Sequence, residues 1–230
     1  MRNSGTILFF GAILCLGLPS CQIRLPTVTI HDDPARFVRL EVDHTVGGNH
    51  FHPANITTDE MRAVLAGMII DEPHLFPSFK GKGKELPRHP AFKTGEMDFF
   101  SPLLAKGLRT ATPEEIVTFY QATQETAIVQ IVTSGGMFID GDGLHVILGN
   151  YRSSTHYAPD PGIGDTADGR SAPLQPIAPQ EARLDFEPRA AIVPLQKDFL
   201  SKLIRPERRE IIVLYKMLTG TTSDMDRKLN

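Results

Sequence analysis

Three histidines near residue 50 are the sequence's best candidates for metal chemistry. His50 and His52 lie two residues apart, so both side chains project from the same face if this stretch is extended. The flexible Gly47-Gly48 pair allows His44 to fold back towards them. Three imidazoles are a ligand set that suits Zn²⁺ or Cu²⁺. The alternative is a structural or surface role, in which His52, directly before Pro53, braces a turn.

A calcium loop is the second metal motif to consider. Asp140-x-Asp142-Gly143 resembles the start of such a loop, but its twelfth position is Tyr151 where a glutamate is required. A glycine-rich tight turn between two strands explains the same residues without a metal. We therefore predict a hairpin turn here.

Signatures of catalysis are missing. Ser134 stands beside two glycines, and His145 and His156 follow it, but the serine lacks the Gly-x-Ser-x-Gly pattern of a nucleophile elbow. The sequence also contains no phosphate-binding Gly-x-x-x-x-Gly-Lys motif and no dinucleotide fingerprint. We predict a protein that is not an enzyme and has no catalytic residues.

The N-terminus has the pattern of an export signal. Arg2 precedes an uncharged run from Ile7 to Leu18, which is too short to span a bilayer. The run ends in Leu18-Pro19-Ser20-Cys21, which resembles a lipobox, the tetrapeptide whose cysteine is acylated with fatty acids such as palmitate before the preceding peptide is removed. We predict a signal peptide over residues 1–20 and lipidation of Cys21. An ordinary signal peptide cut near Ser20 is the alternative.

Cysteine use and charge agree with this location. The chain has two cysteines, Cys15 and Cys21, and removal of the signal peptide leaves only the second, so no disulfide forms within the mature chain. Gln22, rather than Asp, follows Cys21, which in Gram-negative lipoproteins favours the outer membrane. We predict an exported protein anchored there by its lipid and facing the periplasm. The net charge of −3 argues against nucleic acid as a partner.

The first half of the chain predicts a tether, a strand and three helices. Residues 21–35 read as the tether, and residues 36–43 alternate as a strand. Thr57 and Glu60 form a capping box before a helix with a buried face from Met61 to Ile69. A shorter helix covers residues 99–108, and Thr112-Pro113-Glu114-Glu115 predicts the start of a further helix through Thr123.

A loop between the first two helices is rich in positive charge. Its cations could contact anionic lipid headgroups, but a solvated loop is the interpretation that we prefer. They are Lys80, Lys82, Lys84, Arg88 and Lys93.

The second half predicts an antiparallel meander. Residues 127–133, 137–139 and 144–151 have the β-branched, alternating composition of strands, with a turn or bulge at Gly135-Gly136. Residues 153–182 are rich in proline and glycine and predict a long exposed loop. Beyond them we expect short strands at 183–186 and 190–193, a helical turn at 199–204, and a strand rather than a helix at 211–215.

These elements predict an α+β fold, an antiparallel β-meander with helices packed on one face. Residues 36–152 would form the core domain, and residues 183–230 would complete it.

Five short motifs stand out between residues 50 and 152: His52-Pro53-Ala54, Ala111-Thr112-Pro113-Glu114-Glu115, Thr133-Ser134-Gly135-Gly136, Leu144-His145-Val146 and Asn150-Tyr151-Arg152. Together they resemble a group of uncharacterised predicted bacterial lipoproteins. The resemblance implies no known activity, and the motifs have the composition of caps and turns.

Two functions remain open. The first is a non-enzymatic binding or scaffold role for a lipid-anchored envelope protein whose partners are the membrane and another envelope component. The second is a periplasm-facing carrier or sensor of a small ligand, or of a metal at His44, His50 and His52. A carrier should contain a large apolar or histidine-lined pocket, whereas a scaffold should expose an apolar patch.

Overall fold

A computed structural model describes residues 27–42, 47–71, 88–126, 129–156, 169–178, 182–194 and 209–218. The elements follow one another as β1 Val28–Asp32, β2 Arg36–Glu41, α1 Thr58–Gly67, β3 Met68–Asp71, β4 Arg88–Pro90, α2 Thr94–Thr110, β5 Ile116–Gln124, β6 Val129–Asp140, β7 Gly143–His156, β8 Arg183–Phe186, a 3₁₀ turn Arg189–Ala191, β9 Ile192–Val193 and β10 Glu210–Val213. Among the described residues, neither α-helix combines the length and the apolar composition needed to cross a bilayer.

A seven-stranded antiparallel sheet dominates the fold, with the order β1-β2-β5-β6-β7-β10-β9. Its centre is the β5-β6-β7 meander. The antiparallel pairing predicted for residues 127–151 is confirmed for β6 and β7, but the strands predicted at 127–133 and 137–139 are one strand, β6, and the third strand of the meander is β5. A second, three-stranded sheet has the order β4-β3-β8. The chain is therefore α+β, as its sequence predicts.

The helices cover one face of the large sheet. The capping box of α1 is present, since the Glu60 amide donates to Thr57 Oγ1 over 3.1 Å and the Thr57 amide donates to Glu60 Oε2 over 2.8 Å. Alternating strand residues meet the helices in one apolar core, whose fully buried side chains include Leu40, Met61, Leu65, Leu104, Val117, Phe119 and Val146.

The opposite face is covered by residues 169–178, through partly buried Leu174 and Ile177. Asn150, fully buried in β7, fixes this segment. Its Nδ2 donates to Gln175 O over 2.8 Å, and its Oδ1 accepts from the Ile177 amide over 2.8 Å. Nδ2 also donates to Ser134 Oγ over 2.9 Å. A stretch that its composition predicts to be an exposed loop therefore contributes, over these ten residues, to the covering of the sheet.

The strands give the large sheet two distinct ends. We call the end that carries the β6–β7 turn, Asp140–Gly143, the turn end; Gly141 there has a φ of +56°, which confirms the predicted tight turn. We call the other end, with the β5–β6 connection after Gln124, the cleft end. β1 begins at the turn end, because Val28 pairs with Leu40 near the end of β2.

Two helix predictions are wrong at their ends. The first helix stops at Gly67, and Met68–Asp71 form β3 instead. A Cβ on Gly67 would lie 2.4 Å from Phe186 Cζ, so this glycine permits the close approach of β8 to the end of the helix. The second helix, α2, begins at Thr94 and is longer than predicted, with Pro102 inside it.

The helix predicted after Thr112 is wrong: residues 116–124 form β5. The capping interactions still occur, since the Thr112 amide donates to Glu115 Oε2 over 2.9 Å. They close a turn rather than start a helix, because the β-branched and aromatic residues from Ile116 onwards favour the sheet and bury both faces in it.

The remaining differences concern segment boundaries. Residues 28–32, within the predicted tether, form edge strand β1, and residues 153–156 extend β7. The strand predictions for 36–41, 183–186 and 211–213 are confirmed. Lys80, Lys82, Lys84 and the helical turn predicted at 199–204 lie outside the described residues.

Candidate functional site

The loop between β2 and α1 carries two of the predicted histidines and is fastened to the turn end. The His50 amide donates to Pro113 O over 2.9 Å, and the Phe51 amide donates to Ile139 O over 2.8 Å. This loop takes the place of a strand neighbour for the last residues of β6, which extend beyond the pairing with β5. His44 lies outside the described residues.

His52 completes the hydrogen bonding of β6. Its Nε2 accepts from the Ile139 amide over 3.0 Å, so Nδ1 carries the proton of the neutral ring. Together with the Phe51 bond, this satisfies both backbone groups of Ile139. The alternative prediction for His52, a structural role in which it braces a turn, therefore agrees with its hydrogen bond to β6.

In this loop two buried ring nitrogens make no hydrogen bond of good geometry, although backbone groups of Gly47 near His50, and of Thr112 and Glu115 near His52, are close enough to raise the pKa of each ring against the effect of burial. The two nitrogens are His50 Nε2 and His52 Nδ1, on side chains that are only 7% and 6% exposed. The two ring centroids lie 5.8 Å apart. Unsatisfied buried polar atoms are uncommon and call for an explanation, such as a bound ion or water.

Aromatic contacts extend this pair across the sheet. The His50 ring lies 4.3 Å from that of Phe138, which in turn stacks on His145 at 4.4 Å. His145 Nδ1 lies 2.7 Å from Glu210 Oε1. The result is a row of rings along the turn end that finishes at a carboxylate.

Burial keeps the two loop histidines neutral. Loss of hydration lowers the pKa of His52 to about 4, and the neighbouring His50 adds to this shift. Burial also lowers the pKa of His50, against the opposing charges of Asp140 and Glu114. Neutral imidazoles are the form that binds metals, although among the described residues no three His, Cys, Asp or Glu side chains are grouped to hold an ion. The three-histidine site thus remains a prediction.

Ser134 is structural. It is fully buried in β6, donates from Oγ to Pro173 O over 2.7 Å and accepts from Asn150. Its strand partner is Asn150, whereas His145 pairs with Phe138 nearer the turn end. The structure therefore does not bring Ser134 and His145 together.

The largest difference from the sequence predictions is a polar cleft at the cleft end. It lies where the strands extend past the helical layer, between the first turn of α2 and strands β5 to β7, and has a volume of about 240 Å³. Its lining side chains include His89, Lys93, Glu96, Gln121, Glu125, Thr133, Tyr151 and Arg152. A shallower groove of about 470 Å³ adjoins it along His89, Pro90 and Lys93.

Hydrogen bonds organise the wall of the cleft. Tyr151 Oη lies 3.4 Å from His89 Nδ1. Glu96 accepts from the Lys93 amide over 2.7 Å and from Gln121 Nε2 over 2.5 Å. The Glu96 carboxylate is thus engaged in positioning the walls, while the cations of Lys93 and Arg152 line the space.

Arg152 has an unusual backbone. Its φ is +46°, a left-handed conformation that costs a non-glycine residue about 1–2 kcal/mol. It follows a register shift in the β6–β7 pairing beside Ser134, and its amide lies 3.3 Å from Thr133 Oγ1. Strain of this kind is concentrated at functional sites. No local sequence pattern indicates this site, since the conformation depends on the register between β6 and β7 far from the turn that joins them.

No family model, curated protein or solved structure matches this chain.

Proposed function

We propose that this protein is a lipid-anchored bacterial envelope lipoprotein that binds an envelope component without catalysis. The anchor is Cys21, in the lipobox-like Leu18-Pro19-Ser20-Cys21. The binding site is the polar cleft at the cleft end. The single observation that supports binding there is Arg152, whose left-handed backbone is part of the cleft wall.

The chemistry of the cleft favours a small group with a negative charge. Lys93 and Arg152 contribute two cations to a lining that also contains the carboxylates of Glu96 and Glu125. Glu96 already accepts hydrogen bonds from the Lys93 amide and from Gln121. Gln121 and Tyr151 also line the cleft. A guanidinium pairs well with a carboxylate or a phosphate because its N–H groups form a rigid fork. The volume is below the 300–1,000 Å³ typical of sites for larger ligands. We infer that the cleft takes one oxyanion at the end of a larger envelope molecule.

The anchor is tested by intact mass spectrometry of the membrane fraction. We expect the wild-type chain to begin at Cys21 and to carry acyl chains, and the Cys21→Ser variant to lack them. An unprocessed wild-type chain in the cytosol, bare of lipid, would contradict the anchor.

The cleft is tested by NMR titration of the full chain in detergent with two matched pairs of probes. Diglycine against its C-terminal amide tests a carboxylate, and glycerol 3-phosphate against glycerol tests a phosphate. We expect the charged member of one pair to shift the signals of Gln121 and Arg152 in a saturable way, and its neutral counterpart to leave them unchanged. The responding pair also identifies the kind of oxyanion.

The control variants are Arg152→Ala and Arg152→Gly, which both remove the guanidinium. Each should lose the response while remaining folded. Unchanged binding in these variants, or no response to either charged probe, would refute the proposed site.

A second candidate function is metal binding at the turn end. It is favoured by one specific observation, the buried His50 Nε2, for which no hydrogen-bond partner is found. His52 joins the ligands only if it gives up its bond to the Ile139 amide, because its Nδ1 carries the ring proton while Nε2 accepts there. Zn²⁺ or Cu²⁺ are the ions that such ligands prefer, and His44 would be the third ligand. Loss of hydration lowers the pKa of His50 and so favours its neutral, coordinating form.

Metal analysis of protein purified without a histidine tag tests this function. A variant with His44→Gln and His50→Gln leaves the His52–Ile139 hydrogen bond in place and serves as the matched control. We expect one equivalent of metal in the wild type and a loss in the variant. Equal and substoichiometric metal in both would exclude the site.

A further inference from the structure

We propose that the turn end of the large sheet lies against the lipid bilayer, with Phe51 and Met217 inserted among zwitterionic headgroups. This inference concerns the orientation of the domain and rests on the proposed lipid anchor. It assigns a lipid-contacting surface to residues that the anchor itself does not involve.

The first observation is the distribution of exposed apolar side chains. Among the described residues, three large hydrophobic side chains are exposed: Val28 at 42%, Phe51 at 61% and Met217 at 52%. Since a charged, folded protein scatters such residues singly over its surface, their common location is informative.

All three lie at the turn end. Val28 is the first residue of β1 and pairs with Leu40 near the end of β2. Phe51 is bonded through its amide to Ile139, next to the last residue of β6. Met217 follows β10 beyond Val213, which pairs with Leu144 at the start of β7. Exposed apolar side chains that lie together at one end of a sheet are suited to the boundary between headgroups and acyl chains.

The second observation is the length of chain between the lipid and the domain. Val28 follows Cys21 by seven residues, which span at most about 25 Å when fully extended. Because β1 starts at the turn end, this is the end that a lipid on Cys21 holds within reach of the bilayer. The cleft end is then directed away from the membrane, where its polar cleft is accessible to an envelope component.

Charge determines the kind of lipid. Exposed carboxylates of Glu114, Asp140 and Asp142 share the turn end with the apolar residues, and the charge of Asp142 is only partly offset by Lys216 Nζ at 3.7 Å. Anionic headgroups would repel these groups. We therefore infer a surface of zwitterionic lipid such as phosphatidylethanolamine.

The absence of tryptophan from the chain allows a single indole to report the depth of each site. Phe51→Trp and Met217→Trp place the probe at the turn end, in two independent variants. Glu125→Trp is the matched control, because Glu125 is exposed on the β5–β6 connection at the cleft end. Each full-length protein is reconstituted in phosphatidylethanolamine-rich vesicles with and without lipids brominated on their acyl chains.

We expect bromine to quench the indole in Phe51→Trp and Met217→Trp, with emission at shorter wavelength, and to leave Glu125→Trp unchanged. Added phosphatidylglycerol should weaken the quenching at the turn end. Equal quenching at both ends, or none in both turn-end variants, would overturn the inference. An emission shift that occurs only in intact envelopes, without quenching by brominated lipid, would indicate a protein partner and would also count against it.

Intact mass of the same samples separates this result from the anchor. An acylated protein without turn-end quenching refutes the orientation and leaves the anchor standing. A protein without acyl chains whose turn-end indole is still quenched by added vesicles refutes the anchor and supports the lipid-contacting surface by itself.

Discussion

The two ends of the large sheet differ in which side chains they bury and which they expose. At the turn end, His50 and His52 are buried, while Phe51 between them is 61% exposed. At the cleft end, charged side chains such as Lys93 and Arg152 line an open space, and the unusual feature is a strained backbone at Arg152. The same meander thus ends once in buried imidazoles with an apolar surface and once in a polar cleft.

The difference has a backbone origin. At the turn end β6 extends beyond β5, so the N–H and C=O of Ile139 need partners, and a loop with an imidazole acceptor supplies them. At the cleft end the strands remain paired but extend past α2, so space opens above them. At the turn end, a buried imidazole is needed to complete the hydrogen bonding of the sheet. At the cleft end, the face of the sheet that α2 does not cover forms the wall of a candidate binding site.

The largest effect should come from Asn150, which joins the meander to residues 169–178. Asn150→Ala removes several buried hydrogen bonds and leaves their partners unsatisfied, so we expect the free energy of unfolding to fall by about 3 kcal/mol. Ser153→Ala is the control, because Ser153 Oγ makes only a 3.2 Å bond to Asn150 Oδ1. Urea denaturation of both variants measures the difference, and similar losses would show that Asn150 does not hold the segment.

The next effect tests the buried acceptor at the turn end. His52→Ala leaves the Ile139 amide without its partner and creates a cavity, so we expect a loss of about 2 kcal/mol in the free energy of unfolding. His52→Gln retains a side-chain acceptor and should lose clearly less. If thermal denaturation gives both variants equal stability, His52 does not serve as the acceptor.

The turn end should also make stability depend on pH. His52 has a pKa of about 4 in the folded protein, below the usual value of about 6.5. Between these values the unfolded chain binds a proton that the folded protein does not, so stability falls as the pH drops from 6.5 to 4. We expect a loss of about 3 kcal/mol by pH 4, to which the lowered pKa of His50 contributes in the same direction.

The check is denaturation of the wild type and His52→Gln across this pH range. The variant should show a smaller slope, and equal slopes would contradict the assignment. Asp33 does not interfere, because its pKa is lowered to about 2, chiefly by its hydrogen bond with His31. Its contribution is lost only at lower pH.

The smallest effect concerns the strain at the cleft end. Arg152→Gly and Arg152→Ala lose the same side-chain contacts, but only glycine adopts a positive φ without cost. We expect the glycine variant to be the more stable by about 1 kcal/mol. Equal stability in calorimetry would show that Arg152 stores no strain.

The sequence predicted β2, β6 and β7 but missed the edge strand β1 and the interior strand β5. Residues 129–151 alternate because one side chain of each pair faces the helices, and that local pattern is visible without a structure. Thr112 and Glu115 led to the wrong prediction of a helix, since the same capping hydrogen bonds close a turn when β-branched residues follow. No local pattern around Gly67 indicates that the first helix ends there. The reason is that this glycine makes room for Phe186 of β8, which is distant in sequence.

The candidate sites divide in the same way. By itself the sequence determined the lipobox-like Cys21, the α+β class and the proximity of His50 and His52, since each is written in neighbouring residues. Only the tertiary structure decided that these histidines are buried, that His52 completes β6 and that Arg152 lines a cleft with Lys93. These features depend on which strand extends beyond its neighbour, and that is set by pairing between residues far apart in the chain.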